Sequence, residues 1–185
     1  MSSISQKEFK LKNGKTVLIR TALAKDSAQL VKLMKSVIKE GPFTLYEPDE
    51  YKSTAKSESR RILRFKKAEG KIYIVAEFKK EIAGFISFDN WDTRRTSHTG
   101  LFSVFLKKKW RGAGIGKLLV QSLISWGENN SLNKKLSLAV FSTNKNAIAL
   151  YKKLGFKQEG RCPADMIING RNVDSILMYK FTKKY

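Results

Sequence analysis

The chain has 185 residues, and its 37 Lys and Arg against 16 Asp and Glu give a formal net charge of +21 at pH 7. Hydrophobic residues make up 42% of the sequence, which suffices for one core, so we expect a single domain over residues 1–185. One cysteine (Cys162) and one histidine (His98) exclude an intrachain disulfide and a zinc site of Cys and His ligands, and we expect no metal.

The first predicted elements are a strand and an amphipathic helix. Residues 16–21 read as a strand that follows an Asn13-Gly14 turn. Asp26 and Gln29 have the spacing of a capping box, and apolar residues at helical spacing come next. These patterns predict a helix that begins after Asp26 and ends at Gly41.

A second helix and a hairpin are predicted next. The helix covers residues 53–67 and carries Glu58 on an otherwise apolar face. The segments 71–78 and 82–88 read as strands, and the short connection between them predicts an antiparallel hairpin.

The second half of the chain alternates strands and helices. Residues 100–106 form a strand that is apolar on both faces, which is typical of a covered central strand. A helix over 114–128, a strand over 136–141 and a helix over 146–154 follow. Two more strands are predicted within 156–181. This order of elements predicts a mixed α/β sheet.

The excess of positive charge allows two interpretations. It can mark a polyanionic partner, such as nucleic acid or the ribosome, or a lysine-rich surface that keeps the protein in solution. The lysines are spread in short clusters along the chain, so we favour the second. No apolar run approaches the ~20 residues of a membrane span, and the lysine-rich N-terminus does not resemble a signal peptide. We therefore expect a cytoplasmic protein without a membrane partner, and a homodimer remains possible.

A glycine-rich turn between a predicted strand and helix is the first candidate site. It comprises Arg111, Gly112, Ala113, Gly114, Ile115, Gly116 and Lys117. A helix N-terminus leaves backbone N–H groups unpaired, and glycines let a phosphate approach them closely. The spacing fits neither the dinucleotide fingerprint nor the Walker A motif. The turn alone is therefore equally consistent with a phosphate site and with a purely structural role.

A second motif lies about thirty residues further on. Residues 144–156 read N-x-x-A-x-x-L-Y-x-x-x-G-F. Together with R-G-A-G-I-G at 111–116, it resembles the GNAT superfamily of N-acetyltransferases, whose acyl-CoA loop has the pattern Q/R-x-x-G-x-G/A. The resemblance covers most of the chain. It implies a mixed, mostly antiparallel sheet flanked by helices, with splayed central strands that form the acyl-CoA cleft.

The resemblance also implies roles for single residues. Backbone groups at the end of the central strand would bind the pantetheine of acetyl-CoA: Val104, Phe105 and Leu106. Residues 111–117 would hold the pyrophosphate, Asn144 would bond the pantetheine arm, and Tyr151 would protonate the departing thiolate. Two simpler interpretations stay open, because Asn144 can cap the helix that follows it and Tyr151 can be a core aromatic.

The general base is less well indicated. Many members of the family carry a glutamate on the central strand, but residues 99–105 contain no carboxylate. Glu58 and Glu47 are the candidates for catalytic carboxylates, and His98 is a further candidate base.

The expected function follows from the resemblance. It is transfer of an acetyl group from acetyl-CoA to a primary amine by direct attack in a ternary complex. The acceptor could be a small amine, an amino acid or a protein N-terminus, while the high positive charge argues weakly against polyamines. The alternatives are a non-catalytic acyl-CoA-binding regulatory module and, ranked last, a basic protein that binds nucleic acid or the ribosome.

Overall fold

One sheet contains every strand within residues 2–183, which are the residues that this computed structural model describes. The strands are β1 (Lys7–Lys10), β2 (Thr16–Thr21), β3 (Ile72–Phe78), β4 (Glu81–Asn90), β5 (Thr99–Leu106), β6 (Lys135–Phe141), β7 (Lys157–Ile168) and β8 (Arg171–Phe181). Their order across the sheet is β1-β2-β3-β4-β5-β6-β8-β7. Neighbouring strands are antiparallel except for β5 and β6, which are parallel. The mixed, mostly antiparallel sheet implied by the resemblance is therefore confirmed.

Helices pack on both faces of this sheet. The helices are α1 (Ser27–Lys39), α2 (Ala55–Lys67), α3 (Ile115–Asn129) and α4 (Lys145–Lys153). On one face, α1 and α2 bury apolar side chains such as Leu30, Leu33 and Phe65 against β3 and β4. On the other face, α3 and α4 contribute Leu119 and Tyr151 to a second core. Each fully buried side chain of this kind contributes about 1.5–3 kcal/mol before the loss of conformational entropy.

The predicted elements are confirmed to within about two residues at each end. The structure adds one strand that the sequence analysis missed, β1, which precedes the Asn13-Gly14 turn and pairs with β2. Its four residues are mostly charged and exposed, so they lack the apolar alternation that identifies a strand. β1 is held by backbone pairing with its neighbour rather than by burial of side chains.

The predicted capping box at the start of α1 is wrong. The Asp26 carboxylate accepts hydrogen bonds from the Arg20 guanidinium at 2.7 and 2.9 Å and from the backbone N–H of Leu23 at 2.8 Å. The Gln29 side chain bonds the chain at the β3–β4 turn, where it accepts from the N–H of Ile82 and donates to the Lys80 carbonyl. Tertiary partners therefore take both side chains away from the helix end.

The parallel pair at the centre of the sheet separates part of the way along. β5 pairs with β4 along its whole length, but it pairs with β6 only where residues 99–101 face residues 135–137. Beyond that point the two strands diverge as far as Leu106 and Phe141. The predicted splayed central strands are confirmed, and they open a cleft inside the sheet.

The expectation that β5 is covered on both faces is wrong. Phe102 is buried on the α3 side, whereas Leu101 is 44% exposed and Ser103 is exposed on the opposite side. Helices α1 and α2 pack over β3 and β4 and leave this part of β5 uncovered. One face of a central strand therefore borders open space beside the cleft. In residues 2–183, no helix is long and apolar enough to cross a membrane.

Candidate active site

Two connected cavities occupy the cleft between β5 and β6. We call the larger one the groove: it has a volume of ≈ 700 Å³ and lies between the loop after α1 and the starts of α3 and α4. We call the smaller one the inner cavity: it has a volume of ≈ 220 Å³ and continues between the separated strands to β7. The two cavities share six of their lining residues: Phe43, Val104, Phe105, Asn144, Ala147 and Tyr151. A molecule that fills the groove can thus present its end to the inner cavity.

The glycine-rich turn forms one end of the groove. Gly112 and Gly114 have φ values of +76° and +94°, a left-handed conformation that glycine adopts without strain. Gly114 directly precedes α3, and the first helical hydrogen bond runs from the Leu118 N–H to its carbonyl. The N–H groups of residues 115–117 lie in the first turn of α3 and so have no intrahelical acceptor, and Gly114 has no side chain that could cap them. This geometry suits a phosphate group.

Most of the predicted cofactor-binding residues line the groove. Of the seven residues of the turn, Ala113 and Ile115 do not line it, and the Ile115 side chain is fully buried in the α3 core. These two residues could contact a ligand only through their backbone. Gly116 lies against β5, where an added Cβ would come within 3.3 Å of the Leu106 side chain. The turn therefore approaches β5 closely because that position lacks a side chain.

Arg111 spans the mouth of the groove. Its guanidinium lies 2.7 Å from the Glu40 carboxylate at the end of α1, and it also donates to the Leu106 carbonyl at 3.2 Å. Glu40 lines the groove as well. A negatively charged ligand would therefore compete with Glu40 for Arg111.

Replacing Glu40 is expected to strengthen the binding of a negatively charged ligand in the groove, and the acetyl-CoA that the sequence resemblance implies is the ligand to measure. Glu40→Gln removes a negative charge that both pairs with Arg111 and repels a pyrophosphate in the groove. We expect the dissociation constant to fall by about two- to fivefold at low salt, and by less at high salt. Calorimetric titration measures the change. The control is Glu81→Gln, since Glu81 pairs with Lys107 and Lys109 away from the groove. Weaker binding by Glu40→Gln would contradict this assignment.

The backbone at the end of β5 faces the cleft at alternate residues. The Lys107 N–H donates to the Ala83 carbonyl, and the Trp91 N–H donates to the Thr99 carbonyl, so odd-numbered residues of β5 bond β4. Even-numbered residues then direct their N–H and C=O groups toward the diverging β6. Val104 can offer backbone hydrogen bonds to a ligand there, and so can the N–H of Leu106, whose carbonyl already accepts from Arg111. Phe105 contributes its side chain to the cleft wall.

The Asn144 side chain serves the helix that follows and lines the cleft at the same time. Its Oδ1 accepts a hydrogen bond from the Ala147 N–H at 3.2 Å and so caps α4. Its NH₂ group donates no hydrogen bond within residues 2–183 in the assigned amide orientation, and the residue lines both cavities. The two interpretations of Asn144 are therefore compatible, because the capping bond fixes the position of the free NH₂ group.

Tyr151 lies where the groove and the inner cavity meet. The residue is 6% exposed, and its ring packs edge-on against Phe102 and Phe156 with centroid separations of 5.8 and 5.9 Å. Its hydroxyl has no hydrogen-bond partner in the described part of the chain. Burial raises the pKa of the hydroxyl to about 12, so the group is protonated at neutral pH. It can donate a proton or a hydrogen bond to a ligand in the cleft.

The candidate base residues lie away from both cavities. Glu58 is 5% exposed and accepts a hydrogen bond from the Tyr73 hydroxyl at 2.7 Å beneath α2. Burial, and then the charge of Glu58, raises the pKa of Tyr73 well above its usual value. Glu47 is exposed and its backbone N–H donates to Glu50, while the carbonyl of His98 accepts hydrogen bonds from the start of β6. None of the three lines the groove or the inner cavity.

The sequence analysis missed two polar residues on the wall of the inner cavity, Asp165 and Ser175. Asp165 follows Pro163 inside β7. A proline within a predicted strand indicates a bulge or an edge, and that signal was present in the sequence. Within residues 2–183, no three His, Cys, Asp or Glu side chains lie close enough to hold a metal ion together.

Residues 39–156 match the family described as the Acetyltransferase (GNAT) family, which is more than half of the chain. An L-amino acid N-acetyltransferase from Escherichia coli strain K12 is 30% identical over 105 residues, which make up 57% of this chain and 65% of that protein. The chain spans less than two thirds of the length of the first curated relatives, namely 65%, 63% and 64%.

Solved structures share the fold over about nine tenths of this chain. An acetyltransferase of the GNAT family from Streptococcus pneumoniae has a TM-score of 0.85 at 28% identity and covers 89% of this chain and 98% of its own. A putative acetyltransferase from Salmonella typhimurium, solved with its cofactor acetyl-CoA, has a TM-score of 0.82 at 19% identity and covers 91% and 95%. The likeness to the second structure shows the fold, and that protein binds acetyl-CoA.

Proposed function

Because this chain belongs to the GNAT family of acetyltransferases, we propose that it transfers the acetyl group of acetyl-CoA to a primary amine by direct attack. One observation carries the proposal. The groove joins the glycine-rich turn before α3 at one end to the unpartnered Tyr151 hydroxyl at the other. This arrangement supports a phosphate site and a proton donor along one channel, with the inner cavity left for an acceptor.

The residues of the groove fit acetyl-CoA. The free N–H groups at the start of α3 suit the pyrophosphate, and Arg111 and Lys117 add positive charge. Val104 and Leu106 offer backbone groups to the pantetheine arm, and the Asn144 NH₂ group faces the same space. The bound molecule supplies an activated acetyl thioester, and the side chains of the protein orient it.

The reaction needs a neutral amine and a protonated leaving group. The acceptor ammonium loses a proton to water, and the free amine then forms a bond to the acetyl carbon as the carbon–sulfur bond breaks. The nitrogen releases its second proton to water and becomes the amide. The Tyr151 hydroxyl donates its proton to the departing sulfur and regains one from solvent. The Val104 N–H, at the open edge of β5, is positioned to stabilise charge on the acetyl oxygen. No covalent intermediate on the protein is required.

The test is release of free CoA, followed with a thiol reagent, in the presence of amino acids, monoamines, polyamines or N-terminal peptides. CoA release that depends on one class of amine, with a matching acetylated product, supports the proposal. Acetyl-CoA that binds but is never consumed with any acceptor would instead indicate a non-catalytic acyl-CoA-binding module.

Variants of Glu58 test the role that the sequence gave to this residue. Glu58→Leu leaves the buried Tyr73 hydroxyl without an acceptor, so we expect the free energy of unfolding to fall by about 1–3 kcal/mol. Glu58→Gln keeps an acceptor and should destabilise less. Since Glu58 does not line the inner cavity, we expect Glu58→Gln to leave the KM for the amine nearly unchanged.

Chemical denaturation and steady-state kinetics measure these two effects, with Glu47→Gln as the exposed control. If Glu58→Gln instead keeps its stability and its kcat falls by about tenfold or more, Glu58 is favoured as the residue that binds the amine.

A further inference from the structure

We propose that Asp165 receives the ammonium group of the acceptor, and that the acceptor is a small primary monoamine with an apolar body and no carboxylate. This inference rests on the proposed function, because it assigns the acceptor end of the same site. Asp165 and Tyr151 line the same inner cavity of ≈ 220 Å³, whereas Glu47 and Glu58 lie outside it.

An irregularity in β7 brings Asp165 to the cavity. The pairing of β7 with β8 shifts register between Cys162 and Met166, and Ala164 adopts a left-handed φ of +50°. Such a bulge redirects the side chains next to it, and left-handed alanine persists only where its surroundings hold it. The regular alternation of side chains along the strand is interrupted directly before Asp165.

The Asp174 carboxylate on β8 holds this bulge in place. It accepts hydrogen bonds from the Ala164 N–H at 2.8 Å and from the Arg161 guanidinium at 2.6 Å. These two bonds, the Ala164 bond first, lower the pKa of Asp174, so it remains charged at neutral pH. The Asp174 carboxylate is therefore bonded within the sheet, and of the two carboxylates only Asp165 lines the inner cavity.

Most of the remaining residues on the walls of the inner cavity are apolar, and the others are uncharged, namely Thr44, Ser103, Asn144, Tyr151 and Ser175. Phe43, Leu45, Phe105, Phe141 and Met166 line it from the loop after α1, the ends of β5 and β6, and β7. Of the described residues on its walls, Asp165 is the one that carries a charge, and no Lys, Arg or His is among them. This composition is notable in a chain with 37 basic residues. It favours a ligand with one positive charge and an apolar body.

A buried hydroxyl supports the presence of a ligand on the same wall. Ser175 is 3% exposed, and its Oγ has no hydrogen-bond partner within residues 2–183. Buried polar groups are nearly always paired, so one without a partner needs a reason. Ser175 lines the inner cavity beside Tyr151 and Asp165. Acceptor binding would give the hydroxyl a partner.

The same composition disfavours two other kinds of acceptor. An amino acid brings a carboxylate that finds no cation on the described walls and is repelled by the like charge of Asp165, which is itself exposed. A polyamine brings several ammonium groups to a single carboxylate, and the net charge of +21 repels it before binding. The inference thus departs from the amino-acid substrate named for the Escherichia coli relative.

Pairs of acceptors that differ in one group test the inference. The full-length protein is assayed with acetyl-CoA and 3-methylbutylamine, with leucine, which adds only a carboxylate, with spermidine, and with a peptide amide that begins with leucine. We expect kcat/KM to be at least about tenfold higher for 3-methylbutylamine than for each of the others. A higher value for leucine, spermidine or the peptide would overturn the inference.

Asp165→Asn tests the residue itself. We expect it to raise the KM for 3-methylbutylamine by about tenfold or more and to leave the dissociation constant of acetyl-CoA unchanged. The control is Glu8→Gln, an exposed carboxylate on β1 at the opposite edge of the sheet.

The outcomes separate the two proposals. If some amine is acetylated but Asp165→Asn behaves like the control, the inference fails and the proposed function stands. If no acceptor is acetylated while acetyl-CoA still binds, the proposed function fails and the inference fails with it.

Discussion

Gly114→Val is expected to lower the affinity for acetyl-CoA by ~10²–10⁴-fold while the sheet stays folded. Gly114 has a φ of +94° directly before α3, and valine cannot adopt that conformation without strain. The backbone must rotate, and the N–H groups at the start of α3 then lose their alignment. Losing two hydrogen bonds to a charged phosphate costs about 3–6 kcal/mol, which corresponds to the expected change in affinity.

Gly14→Val is the matched control for this prediction. Gly14 has a φ of +78°, an added Cβ would have nothing within 4 Å, as at Gly114, and it lies in the turn between β1 and β2. Both variants should lose a similar ~1–2 kcal/mol of stability from the left-handed position. Calorimetric titration with acetyl-CoA should separate them. Equal affinities for the two variants would remove the phosphate site from the turn.

Tyr151→Phe is expected to lower kcat by at least about tenfold, because general acid catalysis is typically worth ~10²–10⁴-fold and water can partly replace the hydroxyl. The ring keeps its edge-on packing against Phe102 and Phe156. Since the hydroxyl has no protein partner in the described residues, its removal leaves no group unpaired. The melting temperature and the affinity for acetyl-CoA should therefore change little.

Tyr73→Phe provides the contrast for Tyr151→Phe. Tyr73 is also buried, but its hydroxyl donates to Glu58 at 2.7 Å and does not line either cavity. We expect this variant to lose about 1–3 kcal/mol of stability and to keep kcat nearly intact. If Tyr151→Phe instead loses stability and keeps its kcat, Tyr151 is a core residue. An unchanged protein would mean that its hydroxyl is only solvated.

The elements of the fold could be predicted because local patterns identify them. Helical spacing located α1 to α4, and apolar runs bounded by turns located seven of the eight strands. The exception, β1, is mostly charged and is held by pairing with β2, which a local pattern does not record. Asp26 and Gln29 were assigned to a helix cap for the same reason, since their partners on other strands are invisible in the local sequence.

The residues of the groove could be predicted from the sequence more completely than those of the inner cavity. The turn before α3 and the segment 144–156 are each a continuous stretch of sequence, so each motif can be identified from the spacing of its residues. Asp165 reaches the inner cavity only because the bulge in β7 and the Asp174 carboxylate on β8 set its position. Glu58 looked functional because it interrupts an apolar helix face, and its partner is the Tyr73 hydroxyl on the neighbouring strand. Contacts made only in the folded chain decide both cases, between two strands for Asp165 and between a helix and a strand for Glu58.

A crystal structure of the protein with acetyl-CoA tests the central claim most directly. The account predicts the pyrophosphate on the backbone N–H groups of residues 112–117 and the pantetheine arm between the diverging β5 and β6. The thioester sulfur should lie within hydrogen-bonding reach, about 3–4 Å, of the Tyr151 hydroxyl, with the acetyl group facing the inner cavity. Acetyl-CoA bound outside the groove, or with its sulfur far from Tyr151, would contradict the account.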